Sequence, residues 1–292
     1  MNGGGSVMGS SPVAIVTGAS RGIGRAGALA LAEAGFDVVV SARTVREGEG
    51  VAEPNSVREE TTLAVPGSLE RTAEEIEVRG QRALIVPMDL IDVASVTALP
   101  ATVMAEWGRI DVLFNNAIFR GVGTLDRITD LTIDSMTNLL AGNFMNQILL
   151  IQQVIPHMIA AGGGTIIDMV SGSARLDPAG PPGEGGWGIL YSASKAAFGR
   201  VAGGVNAEYR AQGIKAFNVD PGNVVTEARK AAKPDDEYST GYGSEPAEAT
   251  GKVVAWLASD PTADKFLGKW IFAPKLCSDL GLLPGWTFQA PQ

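Results

Sequence analysis

The chain has 292 residues, 45% hydrophobic and 19% charged, with a formal net charge of −9, one cysteine and one histidine. That length can bury one large core or two small ones. The acidic balance argues against nucleic-acid binding. Cys277 alone cannot form an internal disulfide and fits a cytoplasmic setting, it and His157 cannot together build a metal site, and no apolar run of about 20 residues marks a membrane span.

Met1 to Ser11 is Gly/Ser-rich and is expected to be a flexible tail. Val13 to Thr17 is a β-branched run of the kind that forms a buried parallel strand. It leads into Gly18-Ala19-Ser20-Arg21-Gly22-Ile23-Gly24, a helix-forming stretch from Arg25 to Ala34, a closing Gly35 and a second strand from Asp37. Strand, glycine turn, helix and strand make a βαβ unit, the context that gives a glycine motif meaning. Gly18 permits the tight turn. Gly22 and Gly24 let the backbone approach a pyrophosphate resting on the helix N-terminus, the alternative being a glycine-rich turn without a ligand. At the end of the second strand, where an acid would accept bonds from a ribose 2′-hydroxyl, stands Ala42, followed by Arg43. Arg21 and Arg43 without an acid suit a 2′-phosphate, which predicts NADP(H) over NAD(H).

Val45 to Gly67 is an insertion with two readings, a flap over the adenosine and a surface loop. Ser68 has the look of a helix N-cap. Ala83 to Leu90 predicts a third strand that ends near Asp89, Asp111 to Ala117 a fourth, and Gly164 to Ser171 a fifth that ends in a serine. Asp220 to Thr226 follows a sixth, and Lys269 to Pro274 gives a seventh. Strand and helix patterns alternate without a linker. The expectation is one α/β domain over 12–292, a Rossmann-type doubly wound parallel sheet of seven strands ordered 3-2-1-4-5-6-7 with helices on both faces.

Tyr191 and Lys195 lie on a helix predicted from Tyr191 to Arg210, where i, i+4 spacing puts both side chains on one face. An ammonium beside a phenol favours the phenolate, giving a proton donor and acceptor suited to carbonyl/alcohol interconversion. The bland reading is a solvated pair on an amphipathic helix. The loop before Tyr191 would roof a substrate pocket, with Trp187 and Leu190 as apolar walls for a bulky, fairly apolar substrate. Lys275 to Gln292 carries Leu276, Leu280, Leu282, Leu283 and Trp286, and such a tail is expected to pack on a neighbouring subunit.

Thr17 to Gly24 in the pattern Thr-Gly-x-x-x-Gly-x-Gly, together with Tyr191-x-x-x-Lys195, resembles the short-chain dehydrogenase/reductase family over about residues 12 to 272. The resemblance implies that the glycine turn, with Ser20 and Ile23, holds the cofactor, and that Asp89, beside Leu90, bonds the adenine. It implies that Asn116 and Ala117 keep the family's Asn-Asn-Ala-Gly pattern, with Ile118 in place of the glycine. Ser171 would donate to the substrate oxygen, with Ser173 ranked second. Asn143 would hold a water linking Lys195 to solvent, with Asn146 and Asn138 as competing registers. Pro221 and Gly222 would be cofactor-binding, the backbone near Val224 and the hydroxyl of Thr226 would hold the carboxamide, and Glu227 to Thr250, with Tyr238 and Tyr242, would be the substrate lid. A homodimer or homotetramer built on the Tyr191 helix and residues 143–159 is implied as well. The function expected is NADP(H)-dependent reduction of a ketone or aldehyde, or oxidation of the alcohol. The rivals are a catalytically silent nucleotide-sensing or scaffold protein, and a dehydratase or epimerase of the longer sister family.

Overall fold

The computed structural model describes residues 11–232 and 245–290. Most of the expected tail, and lid residues 233–244 with Tyr238 and Tyr242, lie outside the described residues.

β1 (Val13–Thr17) and β2 (Asp37–Ser41) are buried at every position. Their continuous apolar runs are explained by cover on both faces: Ala14 and Val16 point into one core, Val13 and Ile15 into the other. The first core is closed by α1 (Gly22–Glu33) and α2 (Leu69–Glu77), the second by α3 (Val93–Trp107). Ser68 caps α2, its Oγ accepting from Arg71 N at 3.1 Å. Within the insertion, β3 (Val51–Ala52) and β4 (Leu63–Ala64) form a short antiparallel pair.

The remaining strands are β5 (Ala83–Ile85), β6 (Val112–Asn115), β7 (Gly164–Met169), β8 (Ile214–Asp220) and β9 (Trp270–Phe272). They join β1 and β2 in one parallel sheet ordered β5-β2-β1-β6-β7-β8-β9. Counted within this sheet alone, the order is the expected 3-2-1-4-5-6-7. The order reverses between β1 and β6, and such a switch opens a crevice at the carboxyl ends of the strands. β5 stops at Ile85 instead of reaching Leu90, as Pro87 has no N–H to continue the ladder.

One helical expectation needs correction. The stretch from Tyr191 to Arg210 is two helices, α6 (Ile189–Phe198) and α7 (Val201–Tyr209). The break falls where Asn218 Nδ2 takes the Gly199 carbonyl at 2.7 Å and where a Cβ on Gly199 would come within 2.8 Å of Trp270. Upstream, α4 (Ile133–Leu140) and α5 (Asn146–Ala160) are joined by a π-helical turn, Ala141–Met145, which holds Asn143. After α8 (Glu227–Ala232), α9 (Ala247–Ser259) packs into the first core.

The C-terminal tail departs from expectation too. β9 runs straight into α10 (Ala273–Leu280), whose Leu276 and Cys277 are buried in the chain's own first core. Leu282, Leu283 and Trp286 pack against the same core, and Phe288 meets Phe272 edge-on at 5.3 Å. Much of the tail's apolar surface is thus covered within the chain, beside the edge strand, while Leu280 stays exposed. Among the described residues no helix is long and apolar enough to cross a membrane. Removing residues 276–292 should therefore cost at least about 2 kcal/mol of stability through lost burial. Chemical denaturation checks this, and an unchanged midpoint would contradict it.

Candidate active site

The crest of the sheet is tied together by Thr17. Its buried hydroxyl donates to Phe114 O at 3.2 Å and accepts from Asn116 N and Ala117 N, both at 3.0 Å. Asn116 Nδ2 adds a bond to Thr17 O at 3.0 Å, which locks the end of β1 to the exit of β6. Against this knot the glycine turn is so close that a Cβ on Gly24 would come within 2.1 Å of Gly18 O. Gly18 and Gly22 have φ of 69° and 54°. α1 begins at Gly22 without a side-chain cap, so its first N–H groups remain available to an anion. Bare backbone and free donors fit a pyrophosphate.

The turn opens onto a cleft of about 430 Å³. One end is lined by Arg43, Met88, Asp89 and Leu90, with Ser20 and Ile23 on the glycine side. The other end is lined by Asn116, Ala117, Ser171, Tyr191 and Lys195, and by Pro221, Gly222, Val224 and Thr226. Arg43 is exposed and has no hydrogen bond or ion pair among the described residues. Asp89 Oδ1 accepts from Ile91 N at 3.1 Å. No non-glycine among the described residues has a positive φ, so Ile118 occupies the family's glycine position without backbone strain.

Arg21 also lines the cleft, but its guanidinium is engaged. It donates to Pro66 O at 2.9 Å, Gly67 O at 3.0 Å and Thr44 Oγ1 at 3.1 Å, pinning the C-terminal end of the insertion to the glycine turn. The middle of the insertion is held by Asp126, 1% exposed, which accepts from Ser56 Oγ, from Val57 N at 3.1 Å and from Gly123 N at 2.7 Å. The insertion is therefore a strap across the cleft that presents Val51, Ala52, Glu53 and Asn55 to it. Sequence reasoning missed Asp126 because its partner Ser56 lies 70 residues away with no local motif. It also missed Glu53, which the strap brings to the cleft.

At the chemical end, Ser171 Oγ accepts from Ser173 N at 3.3 Å and Ser173 Oγ at 3.0 Å. Two accepted bonds leave the Ser171 proton for donation outward. Ser173 is buried and does not line the cleft, which separates the two candidates. Tyr191 is half-buried in the first turn of α6, and Lys195 one turn later is 3% exposed. Lys195 Nζ donates to Met169 O at 2.7 Å. Burial pulls the Lys195 ammonium down to about 8, against the opposing pull of Asp168.

Asn143 is fully buried, with Oδ1 accepting from Phe119 N at 2.7 Å and Nδ2 donating to Phe119 O at 3.1 Å. It stands behind the cleft and shapes the loop whose Ile118, Phe119 and Arg120 line it. Asn146 instead bonds Leu90 O at 2.7 Å, and Asn138 is exposed. The expected apolar walls are replaced: neither Trp187 nor Leu190 lines the cleft. Their segment is pressed against Thr124, where a Cβ on Gly188 would come within 2.4 Å of the carbonyl oxygen. At the base of the lid, buried Glu245 accepts from Asn223 N at 2.8 Å and donates its own N–H to Asn223 O at 3.1 Å.

Residues 12–67 and 57–237 match the sequence profile of the family described as short chain dehydrogenase. The oxidoreductase UcpA of Salmonella typhimurium is 29% identical over 265 residues, covering 86% of this chain and 88% of its own. An uncharacterized NAD-dependent oxidoreductase of Mycobacterium tuberculosis is 31% identical over 214 residues, covering 73% of this chain and 72% of its own. The crystal structure of a metagenomic short-chain oxidoreductase in complex with NADP superposes with a TM-score of 0.67 at 26% identity, over 89% of this chain and 96% of that one.

The strap can be tested by Asp126→Ala. Leaving the Ser56, Val57 and Gly123 donors without their acceptor should cost about 1–3 kcal/mol locally and speed proteolytic cleavage within 45–67. Cleavage at the wild-type rate would show that Asp126 does not hold the strap.

Proposed function

The chain belongs to the short-chain dehydrogenase family, and we propose that within it this protein is an NADP(H)-dependent oxidoreductase interconverting a carbonyl and a secondary alcohol. The observation that carries this reading is that Ser171, Tyr191 and Lys195 line the same cleft as the glycine turn. When bound, the nicotinamide supplies or takes up the hydride.

The chain's own residues do the rest. The bare backbone of Gly18 to Gly24 and the free N–H groups of α1 hold the pyrophosphate, Asp89 meets the adenine, and Asn116 and Ala117 border the ribose. Arg43, with no other partner among the described residues, grips the 2′-phosphate, since Arg21 is committed to the strap. Pro221, Gly222, Val224 and Thr226 orient the carboxamide. Ser171 donates to the substrate oxygen, Tyr191 passes it a proton, and the Lys195 ammonium favours the phenolate left behind. Asn143 fixes the Phe119 loop with its side chain. Backbone carbonyls of its π-helical turn are where a water relaying the proton would sit, since that turn breaks the regular hydrogen-bond ladder.

Ile118 and Phe119 suit a fairly bulky apolar substrate, a ketone, aldehyde or alcohol. The protein acts in the cytoplasm as a homodimer or homotetramer, which would cover the apolar groove between α5 and α7 lined by Ile148, Ile155, Ile159 and Val201. Glu53 favours a second cofactor reading, because a carboxylate on the strap could accept from a ribose 2′-hydroxyl and select NAD(H).

Tyr191→Phe should lower NADPH-dependent turnover across a ketone and aldehyde panel by about 100-fold or more while cofactor binding persists. Near-wild-type turnover would end the assignment. Arg43→Ala should weaken NADP(H) about ten- to a hundredfold, the loss of a charge-assisted bond, and leave NAD(H) unchanged by titration. If Glu53→Gln instead weakens NAD(H) and Arg43→Ala changes neither, the second cofactor reading holds.

A further inference from the structure

Asp168 is a fully buried carboxylate that the proposed reaction does not use. In the sheet it pairs in register with Asn115 on β6 and Asn218 on β8, so the three side chains form a row on one face. That is the face carrying Ile166, Ala216 and Leu113, covered by α5, α6 and α7. Asn115 Nδ2 donates to Asp168 Oδ1 at 3.0 Å, and Asn218 Nδ2 is drawn away to Gly199 O. Three buried oxygens then have no hydrogen-bond partner: Asn115 Oδ1, Asp168 Oδ2 and Asn218 Oδ1. Among the described residues these acceptors meet no protein donor, and a protonated Asp168 would supply one.

The charged and titratable groups facing this region come from every side. Lys195 descends from α6, with Tyr191 one turn before it; Asp220 stands at the end of β8 and Arg120 on the loop after β6. Asn115 and Asn218 flank Asp168 and are neutral. Lys195 Nζ is anchored on the carbonyl of Met169, the residue next to Asp168. Burial pushes the Asp168 carboxyl up to about 7, with the Asn115 bond and the Lys195 charge opposing it.

Resting on the reading of Tyr191 and Lys195 above, we propose that Asp168 is a positioning residue that sets the charge of Lys195. In acid the pair is a neutral carboxyl and an ammonium. As pH rises Asp168 releases its proton to solvent, and the new carboxylate keeps Lys195 charged where burial alone would strip it. The alkaline range in which the Tyr191 site works is thereby extended.

The test is Asp168→Asn, whose amide keeps the shape, retains an acceptor for Asn115 and offers the row a donor. The first readout needs no cofactor. Asp168 holds its proton to a higher pH when folded than when unfolded, so its contribution to stability is full below the ordinary aspartate range near 3.8 and falls as pH rises toward 7. The variant lacks this fall. Its urea midpoint relative to wild type should climb from about pH 4 and level off only near pH 8, where wild-type Lys195 loses its proton as well. The second readout is the pH profile of kcat for NADPH-dependent reduction, whose alkaline limb should move about one unit or more toward lower pH in the variant. A stability difference that stays flat with pH, or a limb that does not move, overturns the proposal. A role in packing alone would lower activity at every pH alike and is excluded by a moved limb. Normal turnover by Tyr191→Phe would sink the underlying reading while leaving the stability readout intact, so the two failures are distinguishable.

Discussion

An ammonium taken out of water is costly, and the neighbourhood of Lys195 is organised around that cost. Parallel strands end with their carbonyls on one edge, and one of them, Met169 O, receives the lysine. The helix that delivers Lys195 is cut short one turn later, where Asn218 captures the Gly199 carbonyl. Asp168 and Asp220 bring opposite charge from β7 and β8. The same crest, through Thr17 and Asn116, fixes the glycine turn beside β6. One edge of one sheet therefore positions both ends of the cleft, and Tyr191 needs no support of its own beyond its place on α6.

The electrostatics of the cleft run against those of the chain. Net charge is −9, yet Arg21, Arg43, Arg120, Lys195 and Arg229 gather along a cleft whose lining, among the described residues, carries only Asp89 and Glu53 as acids. A local field of this sign draws an anionic ligand toward a protein that repels anions at long range. The strap narrows the approach. It is held by Arg21 near its C-terminal end and by Asp126 at its middle, and it borders the cleft through Val51 to Glu53 and Asn55.

The sheet was legible because buried parallel strands leave continuous apolar runs, and β1 and β2 are such runs at every position. The glycine turn was legible because no side chain fits at Gly24. Helical spacing put Tyr191 and Lys195 on one face, and the glycine motif at the other end of the chain set them apart from a solvated surface pair. What was hidden depended on partners far away in sequence. The break after Phe198 requires Asn218, the strap requires Asp126, and the inward Asn143 requires the Phe119 backbone. The tail announced that it would be buried, since leucines and a tryptophan do not stay in water, but nothing in its spacing said that its own core would receive it. Asp168 stood in plain view as a lone acid in an apolar strand. Its meaning came only with the row it shares with Asn115 and Asn218.

The most direct measurement of the central claim is a single turnover with NADPH carrying deuterium at C4, compared between wild type and Lys195→Met. The substitution keeps the side chain's length and apolar stem while removing the charge. The account predicts that wild type delivers deuterium to the carbinol carbon and that the variant, still folded and still binding the cofactor, does so about 100-fold or more slowly. Label transfer at the wild-type rate without the ammonium would contradict it.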